Sequence, residues 1–202
     1  GWSGARIKWA GLDGIVFKGK SETPVYAYVE NGEVSLLDAT SCDAWGRSVQ
    51  VSVRRLQEIH GEKDVSVITI GVAGENQVTF ANIMNEHDRA SGRGGTGAVM
   101  GSKNLKAVVV RGTKGHHLAD KKTFLALTSA VQDSESGDYF WRSYGTAGIG
   151  ARSAYVEDAF PIRNWQWCSW SDPNVKAITG PFMDTASFVR KTSCPGCALH
   201  CL

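Results

Sequence analysis

Three of the five cysteines lie within eight residues near the C-terminal end, and they constrain the fold more than any other feature. Cys194, Cys197 and Cys201 are spaced C-x-x-C-x-x-x-C, and Pro195-Gly196 favours a tight turn between the first two. Thiolates spaced this closely converge on one metal centre. Unligated neighbouring thiols on a surface would oxidise, so a metal-free role is the weaker interpretation.

Two kinds of metal centre are compatible with this spacing. Cysteine runs of this kind hold iron–sulfur clusters. A structural zinc ion is the alternative, with His200 or a distant residue completing its ligands. In either case the three cysteines need a fourth ligand. Because an odd, clustered set of cysteines is a poor framework for secreted disulfides, we expect a reducing, cytoplasmic compartment.

Strand patterns dominate the first half of the chain. Two apolar-rich runs, 25–29 and 34–37, flank Asn31-Gly32, the dipeptide that best tolerates the positive φ of a tight hairpin turn. Apolar runs predict further strands at 14–20, 65–70 and 106–111. The segment 84–90 shows no strand pattern.

Helical patterns appear once in this half and then dominate the second. Residues 48–60 carry apolar side chains at helical spacing, and Gly61 is placed to end the helix. Another helical pattern begins at Asp120. We therefore expect an α+β protein, with a β-sheet-rich domain over 1–116 and the start of an α-helical domain over 117–202.

Charge and hydropathy exclude two classes of partner. The 22 basic and 20 acidic residues are interspersed and leave a net charge of +2, so no basic stripe suits a run of nucleic-acid phosphates. The longest apolar runs, around 15–17 and 107–110, have the length of strands, far below the roughly 20 residues of a membrane helix. We expect neither a nucleic-acid nor a membrane partner.

Residues 92–97 form a glycine-rich loop, G-R-G-G-T-G, that formally matches a dinucleotide-binding fingerprint. The match is weak, because the preceding residues do not have a strand pattern and because the region where the fingerprint requires an acid holds His116 and His117. Glycine amides beside Arg89 and Arg93 would suit a phosphate. On chemistry alone, a tightly packed glycine turn with solvated arginines is an equally good interpretation of this loop.

Several other residues favour structural roles. Cys42 and Cys168 are expected to be buried thiols. Trp165, Trp167 and Trp170 are expected to pack in a core rather than to form a stacking surface.

Taken in order, blocks along nearly the whole chain resemble the aldehyde:ferredoxin oxidoreductase family. The block 97–107, G-A-V-M-G-S-K-N-L-K-A, is highly specific. The other matching blocks are 9–16, 74–76, 89–95, 144–146, 161–164 and the cysteine run.

The resemblance implies a tungsten–bis-pterin cofactor (tungstopterin) between a sheet domain and helical domains, beside a 4Fe-4S cluster. Arg89 and Gly92 are implied as pterin contacts, with Arg93 as a further candidate. The backbone carbonyl of Ala90 is implied as a ligand of a magnesium ion that bridges the two pterin phosphates. Such a magnesium ion would offset the charge of the phosphates.

The resemblance also favours iron–sulfur over zinc, with Cys194, Cys197 and Cys201 as the first three cluster ligands. The fourth cysteine, the acid/base residues near tungsten and an upstream arginine and asparagine of the cofactor site would lie outside residues 1–202. We therefore expect an internal piece of a longer enzyme, incomplete at both ends and inactive alone. The catalytic residues are expected outside it.

The activity implied by the resemblance is oxidation of an aldehyde to a carboxylic acid, with electrons leaving through the cluster to ferredoxin. Family members are often homodimers. An alternative is the tungsten subunit of an anaerobic aromatic acyl-CoA reductase. A zinc-stabilised binding module without redox activity is an alternative of another class.

Overall fold

The computed structural model describes residues 1–61, 63–115, 117–135, 139–155, 159–168, 173–186 and 190–197. The chain divides into two compact units, Gly1–His117 and Leu118–Leu202. The first contains a six-stranded sheet with flanking helices, and the described part of the second is mainly helical. The expected α+β class is confirmed.

The first unit contains four helices and six strands within its described residues. The helices are α1 Ser3–Trp9, α2 Val49–His60, α3 Val72–Glu75 and α4 Thr96–Ser102. The strands are β1 Val25–Glu30, β2 Glu33–Asp38, β3 Val65–Thr69, β4 Ile83–Asn85, β5 Arg89–Ser91 and β6 Leu105–Arg111.

The strand order in the sheet is β2-β1-β6-β3-β4-β5. β1 and β6 run parallel, and the other neighbouring pairs are antiparallel. The predicted hairpin is confirmed, because β1 and β2 pair up to Glu30 and Glu33 across a two-residue turn. Asn31 and Gly32 have φ values of +51° and +98°, the left-handed geometry that suits such a turn.

Helix α2 begins and ends where the sequence predicts. The Ser48 side chain accepts a hydrogen bond of 3.4 Å from the N–H of Val51, which caps the first turn. Gly61 ends the helix with a φ of +97°. Val53 and Leu56 of α2 are fully buried in a core with residues of β1, β3 and β6. Each such side chain contributes about 1.5–3 kcal/mol by leaving water.

Strand β6 serves two cores, because successive side chains of a strand point to opposite faces. Ala107 and Val109 belong to the core that contains α2. Val108 and Val110 belong to a second core, which also includes Met100 of α4. Every residue of β6 except Arg111 is buried.

The expected strand at 14–20 is wrong. This segment belongs to no strand, yet its side chains alternate as those of a strand would. Ile15 and Phe17 pack on the second core, while Val16 is 80% exposed. The segment is anchored by its side chains and has no neighbouring strand to complete a ladder, so the period-two pattern alone misleads.

The absence of strand pattern at 84–90 is also misleading. β4 and β5 form a short antiparallel hairpin there, with Glu86 at a φ of +55°. These three-residue strands lie at the edge of the sheet, where few side chains are buried. Edge pairing rests on backbone hydrogen bonds, which leave little apolar pattern in the sequence.

Helices α3 and α4 pack backbone against backbone through glycines. A Cβ added to Gly101 would overlap the carbonyl group of Gly74. A Cβ added to Gly74 would lie 3.0 Å from the carbonyl oxygen of Gly97. No larger residue fits this contact without moving one of the helices.

The second unit has four helices within its described residues, α5 Lys121–Glu135, α6 Tyr139–Tyr155, α7 Pro173–Lys176 and α8 Gly180–Ala186. The helix predicted from Asp120 is confirmed: the Asp120 carboxylate accepts a 3.0 Å hydrogen bond from the N–H of Thr123 and caps α5. Helix α6 is interrupted at Gly145, where φ is +58°. No described helix has both the length and the apolar content that crossing a bilayer requires.

Three expectations of burial are wrong. Trp165 and Trp167 are exposed: Trp165 lies in the turn enclosed by the isolated bridge between Ile162 and Trp167, and Trp167 is one of the two bridge residues. Cys168, next to this turn, is exposed as well. Cys42 is half-buried against the first core, in line with its expected role, and Trp170 lies outside the described residues.

The glycine contact predicts that Gly101→Ala lowers the free energy of unfolding by about 1–3 kcal/mol, the usual cost of overpacking. Gly4→Ala in α1 is the matched control, because no atom lies within 4 Å of the added Cβ. The control should raise stability by up to about 1 kcal/mol. Urea unfolding of both variants measures the difference, and equal stabilities would contradict the contact.

A second prediction concerns His60, whose ring stacks on Tyr28 at 4.1 Å and whose Nε2 lies 3.0 Å from the hydroxyl of Tyr26. Burial lowers the pKa of His60 below its ordinary 6.5, against a smaller opposing effect of Glu30. The unfolded state then binds more protons just below pH 6.5, so the free energy of unfolding should fall as the pH falls through this value.

His60→Gln should flatten this pH dependence, since glutamine does not titrate. Unfolding of both proteins in a pH series from about 5 to 8, the range in which histidine changes charge, measures it. Identical slopes in the two proteins would show that His60 is not responsible.

Candidate functional site

Four of the predicted cofactor contacts lie on one continuous strand and loop. β5 carries Arg89 and Ala90 at the edge of the sheet, and residues 92–95 lead from β5 into α4. The side chain of Arg89 is 19% exposed, with its Nε 4.0 Å from the Asp88 carboxylate. Arg93 and Gly92 are exposed on the loop. One guanidinium is therefore held by the fold and the other is presented to solvent.

The glycines of the loop perform two different tasks. Gly92 and Gly94 have no atom within 4 Å of an added Cβ, so they border open space. A Cβ on Gly95 would overlap the carbonyl oxygen of Thr79, and one on Gly97 would overlap that of Asn82. The glycine-rich run thus combines an open half, suited to close approach of a ligand, with a half required by packing.

The backbone of the loop offers hydrogen-bond donors. Gly94 and Gly95 have left-handed φ values of +96° and +66°, which a residue with a side chain rarely adopts. Within the part of the chain that the structure describes, the N–H groups of residues 92–95 have no protein acceptor. Consecutive donors in such a conformation form a concavity suited to anions.

Side chains from β4 and α4 hold the start of the loop. The Asn85 amide donates to the carbonyl oxygen of Arg89 and to the hydroxyl of Ser91, both at 3.4 Å. Thr96 donates from its hydroxyl to the carbonyl oxygen of Ser91 at 3.5 Å. Sequence reasoning missed Asn85, because its role depends on a strand pairing with no apolar pattern.

The chemistry of these groups fits a phosphate-bearing cofactor. The guanidinium groups of Arg89 and Arg93 and the backbone N–H groups of residues 92–95 belong to one strand and loop, and all of them are donors that suit phosphate oxygens. The carbonyl oxygen of Ala90 is a hard donor of the kind that magnesium accepts. These donors are therefore compatible in kind with a phosphate-bearing cofactor and an associated magnesium ion.

The structure excludes a dinucleotide-binding fold. From the sequence, it is disfavoured because no strand is expected before the loop, but the structure gives a different reason. A strand, β5, does precede the loop, contrary to expectation. That strand is antiparallel to β4 at the sheet edge, and the strand after α4 is β6, which is separated from β5 by β3 and β4 and runs in the opposite direction. A dinucleotide fingerprint requires a parallel β-α-β unit.

Two of the predicted metal-binding cysteines lie on one turn. The N–H of Cys197 donates to the carbonyl oxygen of Cys194 at 3.1 Å, and Gly196 between them has a φ of +69°. The Gln132 amide of α5 reaches the carbonyl oxygen of Gly196 at 3.5 Å. Both cysteines are half-buried, as shielded ligands would be.

Cys201 lies outside the described residues, so its distance from this turn stays a prediction. Among the described residues, no group of three or more histidine, cysteine, aspartate or glutamate side chains is arranged to hold a metal. The turn therefore supplies two thiols of the C-x-x-C kind and fits a thiolate-bound centre that takes further ligands from elsewhere.

Comparisons with known proteins identify the family of the chain. The family described as "Aldehyde ferredoxin oxidoreductase, N-terminal domain" matches residues 1–112. Tungsten-containing aldehyde ferredoxin oxidoreductases of Pyrococcus horikoshii and Pyrococcus abyssi are 39% and 38% identical over the whole chain. The "Aliphatic sulfonate oxidoreductase, WOR-like subunit" of Pyrococcus furiosus is 32% identical over 98% of the chain. The chain spans 33% of the length of each relative.

A solved structure shares the fold of almost the entire chain. It is the active site complex BamBC of benzoyl coenzyme A reductase in complex with 1,5-dienoyl-CoA, with a TM-score of 0.75 and 29% identity. The similarity covers 97% of this chain and 31% of that one. Since the family match alone spans more than half of the 202 residues, the chain belongs to the aldehyde ferredoxin oxidoreductase family of oxidoreductases.

Proposed function

We propose that the protein containing this chain oxidises aldehydes to carboxylic acids at a tungsten–bis-pterin centre. The observation that carries the proposal is the open half of the glycine loop, whose backbone N–H groups have no acceptor among the described residues and which adjoins Arg89 and contains Arg93, in a chain of this family. Aldehyde and water give a carboxylic acid, two protons and two electrons. The pterin-bound tungsten supplies the oxygen-transfer and two-electron chemistry, and the protein supplies position and electrostatics.

The first unit would hold the cofactor through its phosphates. Arg89, fixed on β5, and Arg93, exposed on the loop, would donate to phosphate oxygens together with the N–H groups of residues 92–95. Gly92 would admit the pterin at close range because it has no side chain. The Ala90 carbonyl oxygen would bind the magnesium ion between the phosphates. We propose residues 1–116 as this cofactor domain.

The second unit would hold the exit for electrons. Cys194 and Cys197 would bind two irons of a 4Fe-4S cluster from the ends of their turn. Cys201 and a fourth cysteine outside residues 1–202 would complete the set. Electrons would leave singly through this cluster to ferredoxin. We also propose that the protein is a homodimer in the cytoplasm. Cysteine thiols stay reduced in that compartment and so remain available to bind a cluster.

A second candidate function is reduction of an aromatic acyl-CoA, with electrons flowing toward the substrate. It is favoured by the 0.75 TM-score to the benzoyl coenzyme A reductase complex. Aldehyde oxidation has priority, because the relatives that are 38–39% identical carry that name. Assays of purified protein with an aldehyde and oxidised ferredoxin, and with an aromatic acyl-CoA and a strong reductant, separate the two. Zinc as the sole bound metal would instead support a binding module.

Replacing Arg89 tests the cofactor site. Arg89→Ala removes a charged donor worth about 1.5–3 kcal/mol, so retention of the cofactor should weaken by about tenfold or more. Tungsten and pterin content of the purified full-length protein measure the loss. Arg54→Ala is the matched control, because Arg54 is an exposed arginine on α2 and is not part of β5 or the glycine loop. Unchanged tungsten content in Arg89→Ala would remove Arg89 from the site.

Replacing Cys197 tests the cluster. Cys197→Ala in the full-length protein should lower bound iron and abolish or alter the low-temperature EPR signal of the reduced sample, because one iron loses its thiolate. Cys168→Ala is the control, since Cys168 is an exposed cysteine outside the turn. A full complement of iron with an unaltered signal in Cys197→Ala would show that this residue is not a ligand.

A further inference from the structure

Lys106 and Glu75 form an ion pair that is removed from solvent. Lys106, on β6, is the largest fully buried side chain among the described residues, with 0% of its surface exposed. Glu75, the last residue of α3, has a side chain that is 6% exposed. Charged side chains are almost never buried to this extent unless they are paired.

The pair connects three parts of the first unit. The ammonium group of Lys106 donates to the Glu75 carboxylate and, at 3.0 Å, to the carbonyl oxygen of Arg47. The N–H of Gly46 donates to both carboxylate oxygens of Glu75, at 3.1 and 3.0 Å. Burial lowers the pKa of Lys106, and the hydrogen bond and charge of Glu75 oppose that shift. The contacts thus hold the end of α3 to the central strand and to the segment before α2.

From α3 the contacts continue to the glycine loop. Gly74, next to the paired carboxylate, packs directly on the backbone of α4 at Gly97 and Gly101. Helix α4 begins at Thr96, immediately after the loop, and Gly95 lies against the carbonyl of Thr79. Because these contacts are between backbones, a shift of α3 has no flexible side chain to absorb it and must move α4.

A buried pair of this kind is a poor device for stability alone. Taking two charges out of water costs as much as their attraction returns, and apolar residues of similar size often stabilise a protein as well or better. What the pair adds is direction: two donor groups, the N–H of Gly46 and the ammonium of Lys106, make three hydrogen bonds to the carboxylate, and α3 can satisfy them in one position.

We infer that Lys106 and Glu75 are positioning residues for the glycine loop. The buried pair fixes α3 on the sheet, and α3 fixes α4 and the end of the loop through the glycine contact. The functional consequence rests on the proposed function, in which the loop holds the phosphates of a pterin cofactor. The claim that the ion pair fixes the positions of α3 and α4 concerns this chain alone and does not depend on that function.

The test uses the double variant Lys106→Met/Glu75→Leu, which replaces the pair by apolar residues of similar length. Amide hydrogen exchange in the cofactor-free protein reports the position of α4 through the bonded N–H groups of Gly97, Ala98 and Val99. Amides of α2 serve as the internal reference. We expect exchange in α4 to rise at least tenfold with α2 unchanged, together with a several-fold loss of pterin from the full-length protein.

Val67→Ala is the matched control, because Val67 is fully buried on β3 in the core that contains α2. It should accelerate exchange in α2 and α4 alike through loss of stability. Glu75→Gln, which keeps the shape of the side chain and one acceptor, should give an intermediate effect and covers the case in which the double variant fails to fold. Native exchange in α4 in both pair variants would overturn the inference.

The exchange measurement also separates this inference from the proposed function. Faster exchange in α4 of the variants, in a protein whose wild type binds no tungsten or pterin, would support the positioning role and refute the cofactor assignment. Loss of pterin with native exchange in α4 would refute the positioning role and leave the cofactor assignment standing.

Discussion

Strand β6 is the element on which the rest of the first unit depends. It pairs in parallel with β1 and antiparallel with β3, so it joins the hairpin to the edge strands. Its alternating side chains fill both cores, Ala107 and Val109 on one face and Val108 and Val110 on the other. Lys106 adds a polar link to α3 within the same strand. The seven residues of β6 therefore contribute buried side chains to both cores and also the ion pair with Glu75.

Features determined by neighbouring residues could be predicted from the sequence. The hairpin turn at Asn31-Gly32 and the caps of α2 at Ser48 and Gly61 are local, since each depends on backbone conformation and hydrogen bonds within a few residues. The segment 14–20 and the hairpin of β4 and β5 were mispredicted, because whether an extended segment becomes a strand depends on a partner far away in the chain.

The sequence predicted which residue types the candidate site contains, but it did not predict how those residues are arranged. Composition drew attention to the glycines and to Arg89 and Arg93, but it could not separate Gly92, which borders open space, from Gly97, which packing requires. The roles of Asn85, Lys106 and Glu75 could not be predicted from the sequence, because a polar residue in a strand or a helix ordinarily faces solvent. The role of Arg89 and of the cysteines as ligands stays a prediction.

The order of strands in the sheet also determines how the chain can fold as it is made. β1 is synthesised about 80 residues before β6, its parallel partner, and β3 about 40 residues before. Until residue 111 has left the ribosome, both strands keep an unpaired edge, and neither core can close. The nascent first unit therefore completes its sheet in one late step, after a period in which exposed strand edges must be kept from other chains.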